Sequence, residues 1–350
     1  MESKELITDL KKFSYREVLQ CSYTEWYQLF EPYLIKSQVI PLNNKLIEYL
    51  KSDSMKIPSK FLLGLDKSQL SDDDEEEEES EEEESEEEEE NEEQKEPELN
   101  KLEVMELLEE LNIIVSKSIE ELQGSVIPKL NWSAPKDAIW ISASKNLQCK
   151  NLGDILLLLK SSDDIEYDLN RAFELCYDKE RVDLSTVNYN LILKTWFNMD
   201  HGFEFRCFIL NGKLVGISQR DSNYYSYLKQ EKEWVIKLII NFFNHVIKEK
   251  FPLTNYTVDI YVVKLTKSIK ILDFNPVSTA THPLLFEWSE LLELNNDDKL
   301  PIFRFIESEV DSQYNRSIRS GLNSYPIDLV HSNSNEVDQL LNQIKIEDKQ

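Results

Sequence analysis

TVDIYVVKLTKSIKILDFNP, residues Thr257–Pro276, is the stretch that decides the fold of this chain. It predicts a β-hairpin, because two runs of alternating apolar residues flank a polar turn centred near Thr266–Ser268. Side chains two residues apart on a strand share a face, so Asp273 and Asn275 point the same way. The register of such a hairpin sets Asp259 opposite either Asp273 or Asn275.

These three oxygen-bearing side chains predict a cation site. Two carboxylates this close repel each other unless a cation lies between them. Mg²⁺ suits the pattern, because it takes one or two carboxylates and keeps its other positions for phosphate and water. The alternative is a surface hairpin, in which Asp259 ends a strand and Asp273 begins a turn before Asn275–Pro276. The flanking apolar residues favour a buried sheet, in which an unpaired acid is costly. They are Val258, Ile260, Val262, Ile269, Ile271 and Phe274.

The charge of the chain is concentrated in one segment. The 350 residues carry a formal net charge of −28, but Asp72–Glu98 alone holds 21 acids and one base, which leaves −8 for the remainder. Such dense like charge predicts a disordered insert. With 41% hydrophobic residues, the rest predicts a substantial core. It lacks the basic footprint of a nucleic-acid-binding protein, so no direct contact with nucleic acid is expected.

Cysteine spacing and hydropathy predict the compartment. The four cysteines are widely spaced and form no CxxC pair, which is typical of reduced thiols in the cytosol. The N-terminus shows no apolar signal segment, and the apolar runs Ile155–Leu159 and Trp234–Phe243 are too short or too interrupted to span a bilayer. We therefore expect a soluble cytoplasmic protein, without membrane contact and monomeric.

The order of patterns predicts an α+β fold of antiparallel hairpins with flanking helices. Four parts are predicted: 1–66, an aromatic-rich segment packing on the core; 67–98, the acidic disordered insert; 99–292, the core; and 293–350, an irregular C-terminal segment. Predicted helices cover 44–51, 99–122, 151–161, 230–250 and 284–292. Predicted strands outside the first hairpin include 126–130, 138–142 and 187–197.

A second hairpin is predicted around Asn211–Gly212, the strongest two-residue turn signal in the chain. With this turn, Glu204 and Arg206 share a face with Gln219. By the same parity Arg220 belongs to the opposite, apolar face, unless the strand ends or bulges near Gln219.

Lys129 lies at the end of an apolar strand and precedes the loop Asn131–Lys136. Ser133 and Ala134 leave the backbone of this loop accessible, so an ammonium group and amides could meet phosphate there. An exposed strand lysine is the commoner role for a single such residue.

Five stretches together resemble the cell division cycle protein 123 family. They are GSVIPKLNWSAPKDAIWI, EFRCFILNGKLVGISQRD, VDIYVVKL, ILDFNP and PLLFEWSELL, within a similarity that runs from about Ser22 to Leu292. The resemblance implies an ATP-grasp-like fold with ATP and Mg²⁺ between two sheet-containing lobes. It also implies an assembly chaperone that promotes joining of the gamma subunit of eukaryotic translation initiation factor 2 to the alpha subunit, in support of translation initiation and cell-cycle progression.

The resemblance further implies site residues, one position at a time. The magnesium positions are Asp259, Asp273 and Asn275, in agreement with the prediction from the hairpin itself. Lys129 holds phosphates, and the strand Leu193–Trp196 lies on the adenine side. The full set implied for ATP is Lys129, Asn131, Trp132, Ala134, Asp137, Leu193, Lys194, Thr195, Trp196, Glu204, Arg206 and Arg220.

Two classes of function share this set of residues. One is the ATP-binding assembly chaperone, and the other is an ATP-grasp ligase that forms an acyl phosphate and transfers it to an amine. A ligase also needs a pocket for a carboxylate acceptor and a stabiliser for the tetrahedral intermediate. No separate basic or glycine-rich cluster supplies these, with seven glycines in the chain, so the resemblance favours the chaperone.

Overall fold

The computed structural model describes residues 13–52, 57–61, 101–181, 183, 186–294 and 301–313. The acidic insert predicted from the sequence lies outside these ranges. The helices are α1 Tyr15–Gln20, α2 Tyr23–Trp26, α3 Asn44–Lys51, α4 Lys101–Glu121, α5 Leu152–Lys160, α6 Asp163–Asn170, α7 Leu228–Phe242 and α8 Trp288–Leu294. The strands are β1 Ser37–Pro41, β2 Val126–Lys129, β3 Asn190–Thr195, β4 Glu204–Leu210, β5 Lys213–Gln219, β6 Tyr256–Val263, β7 Ser268–Pro276 and β8 Ile302–Arg304. The fold is α+β, as predicted.

A three-stranded antiparallel sheet joins β1 to two strands from much later in the chain. Its order is β1-β3-β2, with Ile192 of β3 paired to Val39 of β1 and to Lys129 of β2. Leu193 is fully buried on the face where α4 and α5 pack. Because side chains alternate along a strand, Lys129 and Lys194 project from the opposite face.

A five-stranded sheet forms the second layer, in the order β7-β6-β4-β5-β8. All pairs are antiparallel except β5 with β8, which run parallel. One face is apolar and packs against α7, whose Val235 and Ile239 are buried. The buried residues of that face include Phe205, Cys207, Ile217, Val258, Ile260, Ile271 and Phe274.

The β6–β7 hairpin decides between the two partners predicted for Asp259. Asp259 lies directly opposite Asp273, and Asn275 lies opposite Thr257. The turn occupies residues 264–267, so the predicted centre near Thr266–Ser268 is too far along the chain. The register shifts by one residue beyond Asp259, which leaves Leu272 as the extra residue of β7.

The β4–β5 hairpin turns at Asn211–Gly212, whose φ angles of +50° and +70° fit a type I′ turn. The register shifts by one residue between Phe208 and Ile209, with Val215 as the extra residue of β5. This bulge resolves the open question of Arg220. Beyond it every side chain of β5 changes face, so Arg220 lies with Glu204 while Gln219 turns to the apolar side.

Several predicted element bounds are wrong. Residues 138–142 form successive turns instead of a strand, because the carboxylate of Asp137 is bonded to the start of α6 and holds the chain there. The last predicted helix begins only at Trp288, since Pro283 and the positive φ of Leu284 (+63°) interrupt the backbone before it. Sequence patterns also missed α6 and the three-residue strand β8.

An aromatic cluster behind the first hairpin anchors both sheets to the N-terminal helices. Phe274 of β7 is fully buried and stacks on Phe251 at a ring-centroid distance of 4.0 Å. It also meets Trp26 at 4.9 Å and Phe30 at 5.5 Å. Its neighbours along the strand, Asp273 and Asn275, face the other way, so the aromatic cluster fixes the position of the polar residues.

Phe274→Ala is expected to lower the free energy of unfolding by about 3–5 kcal/mol, because it removes a buried ring that surrounding aromatic residues cannot replace. Urea unfolding followed by circular dichroism measures the change. The control is Leu265→Ala in the exposed hairpin turn, 94% exposed, which should stay within about 0.5 kcal/mol of the parent protein. Equal losses from the two variants would contradict this account of the core.

Candidate functional site

Two lysines of the three-stranded sheet reach across to β7 of the other sheet. The Nζ atom of Lys129 lies 2.9 Å from both carboxylate oxygens of Asp273. The Nζ atom of Lys194 donates to the carbonyl of Leu272 at 2.7 Å. Leu272 is the bulged residue of β7, and its carbonyl meets the Lys194 ammonium. Both lysine side chains are buried, so these contacts couple the two sheets through a largely buried, charged interface.

Two arginines of the five-stranded sheet converge on Asp259. Arg206 forms a bidentate pair with it, at 2.7 Å from Nε and 2.9 Å from Nη2. The Nε atom of Arg220 lies 2.9 Å from the second carboxylate oxygen, and its Nη1 lies 3.6 Å from Glu204. Glu204 is in turn 2.5 Å from Nδ1 of His201. Planar, bidentate pairs of this kind hold both partners in a fixed orientation.

The neighbouring charges determine the protonation of the acids. Burial alone would raise the pKa of Asp259, but Arg206 and Arg220 hold it well below its usual range. The pKa of Glu204 is likewise lowered: burial opposes this, and the hydrogen bond from His201 with the charges of Lys136 and Arg220 outweighs it. Both acids are therefore carboxylates at neutral pH.

Two lysines of the site also have lowered pKa values, which for a base favours the neutral form. Burial, with Lys129 beside it, lowers the pKa of Lys194 to about 7. Lys136 is open to solvent, yet the surrounding protein and the nearby Arg220 lower its pKa to about 8. A bound anion would raise the pKa of such a base again, because the anion stabilises its protonated, positively charged form.

Lys136 belongs to this site although no site residue was predicted there. Its charge interacts with those of Glu204, Asp259, Asp273 and Arg220. The signal was present in the sequence, since the residue ends the accessible loop that follows Lys129. A single lysine in a loop gives no indication of what it faces until the second sheet is in place.

We call the resulting group the ionic cluster. It consists of Lys129, Lys136, Lys194, Arg206, Arg220, Glu204, Asp259 and Asp273. When all its bases are protonated, five positive charges of this group face its three carboxylates. Two further acids interact with these bases, Asp164 and Asp168, but their pKa values are raised to about 6 and about 7. An excess of positive charge where two sheets meet is suited to a strongly negative ligand, because desolvated like charges repel one another.

Two residues of the predicted nucleotide loop use their side chains in hydrogen bonds to backbone groups of the protein. The amide of Asn131 donates to the carbonyl of Asn188 at 2.9 Å and accepts from the backbone N–H of Asn190 at 2.8 Å. The indole of Trp132 is buried and donates to the carbonyl of Val18 at 2.8 Å. These side chains fix the path of the loop, and their use in the fold leaves the backbone as the part that can contact a ligand.

Asp137 and Ala134 complete that loop. The carboxylate of Asp137 accepts bonds of 2.6 Å from both the hydroxyl of Ser162 and the backbone N–H of Asp163, at the start of α6. The carbonyl of Ala134 accepts from the backbone N–H of Lys136 at 2.7 Å. Through these bonds the loop is held in the turn that leads to Lys136.

The strand predicted to lie on the adenine side contributes one side chain to the ionic cluster. Lys194 faces the cleft, whereas Leu193 and Thr195 face the opposite side of the sheet. The hydroxyl of Thr195 donates to the carbonyl of Lys36 at 3.1 Å. The backbone N–H of Trp196 donates to Ser125 at 3.0 Å, just beyond the end of β3.

The predicted metal residues lie together on one face of β6 and β7. Asp273 and Asn275 are half-buried. Within the described ranges the side-chain amide of Asn275 makes no hydrogen bond. Asp259 is 2% exposed and already neutralised by two guanidinium groups. Among the described residues no group of three His, Cys, Asp or Glu side chains is placed to bind a metal. Asp273 and Asn275 are the more exposed oxygen donors of the three, and such a small set fits Mg²⁺, which accepts few protein ligands.

None of the described helices combines the length and the apolar character that a membrane span needs.

The geometry defines a class: an α+β protein whose two sheets meet at a charged interface, with bases from both sheets and acids from the five-stranded one. The chain belongs to the D123 family, whose model matches residues 26–333. This confirms the resemblance to cell division cycle protein 123. The solved structure of Cdc123 from Schizosaccharomyces pombe superposes with a TM-score of 0.66 at 32% identity, covering 85% of this chain and 99% of that one.

Relatives from distant organisms carry related names. A translation initiation factor eIF2 assembly protein of Dictyostelium discoideum is 33% identical, over 93% of both chains. Cell division cycle protein 123 of Candida glabrata is 36% identical, over 80% of this chain and 77% of its own. The eIF2 assembly protein of Sclerotinia sclerotiorum is 34% identical, and this chain spans 65% of its length.

Asp259→Asn is expected to lower the free energy of unfolding at pH 7 by about 3–5 kcal/mol, because it leaves two buried guanidinium groups facing a neutral amide. The folded-state pKa of Asp259 is depressed, so its contribution is complete above the unfolded pKa of about 3.9 and is lost as the pH falls further. The difference between parent and variant should therefore shrink below about pH 4.

Urea unfolding of both proteins between pH 7 and pH 3 measures this difference. Glu166→Gln, which removes an exposed ion pair with Arg171, is the control and should change stability by less than about 1 kcal/mol. A gap between parent and Asp259→Asn that is small at pH 7, or constant across the range, would contradict the proposed role of the carboxylate.

Proposed function

We propose that the cleft binds ATP with Mg²⁺, in the manner of ATP-grasp proteins, and that the bound protein promotes assembly of eukaryotic translation initiation factor 2 by joining its gamma subunit to the alpha subunit. The observation that carries the proposal is the surplus of positive charge in the ionic cluster. Membership of a family whose relatives are named as eIF2 assembly proteins supports the second half of it.

A triphosphate neutralises the surplus positive charge of the ionic cluster better than a single carboxylate or phosphate does. The bases come from both sheets: Lys129 and Lys194 from one, Arg206 and Arg220 from the other, with Lys136 on the loop that follows β2. A chain of phosphate groups can contact ammonium and guanidinium groups at several points, with Arg offering fork-shaped pairs and Lys compact point charges.

Asp273 and Asn275 are the residues best suited to hold the metal, with Asp259 opposite Asp273 as the third member. Mg²⁺ typically joins one or two protein carboxylates to substrate phosphates and keeps several waters. In this cleft it would supply the positive charge that keeps a triphosphate and Asp273 from repelling each other. Lys129 now neutralises Asp273 and would be shared with the phosphates.

The strand end at Leu193–Trp196 is proposed to lie on the adenine side. Because β3 is the central strand of its sheet, its backbone is paired with both β1 and β2, and the side chains of Leu193 and Thr195 face the other side of the sheet. Lys194 is therefore the side chain of this strand that is proposed to reach the nucleotide. The loop of Asn131, Trp132, Ala134 and Asp137 is proposed to contribute through its backbone, because its polar side chains are committed to the fold.

ATP is proposed to act as a structural ligand that joins the two sheets and presents one fixed surface to the gamma subunit. A polyanion bound to bases of both sheets stabilises the arrangement in which they face each other, by the free energy of its binding. Recognition of that arrangement by the partner would then depend on ATP, since binding at one site and at the other are linked.

Asp273→Ala is expected to abolish the effect of Mg²⁺ on ATP affinity, because it removes the more accessible metal carboxylate. Metal-free ATP should bind the variant at least as tightly as it binds the parent, since the change also removes a negative charge from the cleft. Lys129→Met should weaken ATP binding at least tenfold, about 1.4 kcal/mol, with or without Mg²⁺.

Isothermal titration calorimetry with and without Mg²⁺ measures both effects. Lys150→Met is the matched control. It removes an exposed lysine and changes the net charge of the chain by the same amount as Lys129→Met. An Asp273→Ala protein that keeps the full Mg²⁺ dependence, or a Lys129→Met protein that binds ATP like the control, would contradict the site.

The purified gamma subunit of eIF2 is expected to bind this protein in the presence of Mg²⁺ and ATP, and to bind it at least tenfold more weakly without nucleotide. The Lys129→Met variant should lose this dependence. Gel filtration of the mixture, followed by addition of the alpha subunit, measures both complex formation and joining. Release of phosphate from ATP with no gamma-subunit complex would instead favour the ligase class of function.

A further inference from the structure

A short C-terminal segment, residues 301–313, lies along the edge of the five-stranded sheet, and we call it the strap. Its strand β8 runs parallel to β5, with Ile302 beside Gly216 and Arg304 beside Ser218. The ring of Phe303 packs on Phe205 at 5.4 Å. The strap follows the arginines of the ionic cluster by some ninety residues in sequence. Its last residues nevertheless lie next to the segment that follows Arg220.

The side chain of Gln219 joins the strap to the segment that follows Arg220. Gln219 is fully buried on the face of the sheet opposite to the ionic cluster. Its carbonyl oxygen accepts from the backbone N–H of Ile306 at 2.9 Å. Its amide nitrogen donates to the carbonyls of Asp221 at 2.9 Å and Asn223 at 2.7 Å. One side chain thus links the strap to the turn that begins at Arg220.

Two further bonds tie the strap to the arginine sites. The hydroxyl of Ser312 donates to the carbonyl of Ser222 at 3.0 Å. Arg304 donates to the carbonyl of Leu285 at 2.9 Å, in the segment whose His282 carbonyl accepts from Arg206 at 2.8 Å. Each arginine of the ionic cluster is therefore adjacent to a backbone segment that the strap holds.

We propose that Gln219 is a positioning residue, which acts with the strap to hold Arg220 in the ionic cluster and so sets the affinity for the triphosphate. The proposal rests on the proposed function. Arg220 comes directly after the end of β5, and its backbone N–H makes the last bond to β4, to the carbonyl of Glu204 at 2.9 Å. The three bonds of Gln219 hold the segment that follows against the strap, and a guanidinium group must be oriented to serve bidentate recognition.

The first test is a double-mutant cycle on the full chain. Gln219→Leu should weaken Mg²⁺·ATP binding by about tenfold, and Arg220→Met should weaken it as much or more. If Gln219 acts through Arg220, then adding Gln219→Leu to Arg220→Met should change the affinity by less than twofold, because coupled residues are not additive. Adenosine, which has no phosphates, should bind all four proteins alike.

Ile155→Val is the matched control, because Ile155 is fully buried behind the other sheet and its loss of a methyl group lowers stability without touching the strap. It should leave ATP affinity unchanged. Ser312→Ala is a milder variant that removes only the bond to Ser222, and it keeps the test open if Gln219→Leu does not fold. It should weaken ATP binding by about two- to threefold.

The second test needs no nucleotide. In amide hydrogen exchange of the free protein, residues 220–224 should exchange at least tenfold faster in Gln219→Leu, or measurably faster in Ser312→Ala, while β6 and β7 stay protected. Unchanged exchange of 220–224 would overturn the inference. So would additive effects in the cycle, or equal losses for ATP and adenosine. A parent protein that binds no ATP would overturn the proposed function, and the exchange result would still decide whether Gln219 holds the Arg220 segment.

Discussion

The ion pair between Lys129 and Asp273 is the contact on which the arrangement of the site depends, because it is made across the space between the two sheets. Each partner is fixed from behind by an apolar face: β2 and β3 lie against α4 and α5, and β7 is held by the aromatic residues around Phe274. A buried pair of this kind contributes little net stability, since desolvation offsets most of the attraction. Its importance is geometric. It brings the cations of one sheet to the acids of the other, and a ligand that competes for Lys129 would bind where the sheets meet.

Two β-bulges shape the ionic cluster. The extra residue Val215 rotates the end of β5, so that Arg220 joins Glu204 and Asp259. The extra residue Leu272 presents a carbonyl to the buried ammonium of Lys194. Bulges are common beside functional sites, because they re-aim side chains within an otherwise regular sheet. The ionic cluster brings its bases together because strand alternation is broken at these two places, and the strap bonded to Gln219 holds the backbone that follows Arg220.

The limits of prediction follow from these same features. That Asp259 pairs with Asp273 or Asn275 could be predicted, because alternation and a short turn are local properties of the chain, and the structure selects Asp273. The position of Arg220 could not, since nothing in the sequence of β5 identifies Val215 as the extra residue. The strand β8 was missed because three residues in parallel pairing leave no periodic pattern. Asn131 and Trp132 were predicted by resemblance to lie near the nucleotide. The structure places their side chains in bonds to Asn188, Asn190 and Val18, which a sequence motif does not distinguish from ligand contacts.

The central claim is that surplus positive charge, partly suppressed by burial, is held between the sheets for a polyphosphate. It is tested most directly by the protons exchanged when ATP binds. With their pKa values lowered to about 7 and about 8, Lys194 and Lys136 are largely neutral at pH 8.5, and phosphate groups would raise those pKa values again. Calorimetry in buffers of different ionisation enthalpy should therefore show net proton uptake on ATP binding at pH 8.5, reduced in Lys194→Met. Binding that takes up no protons, or releases them, would contradict the account.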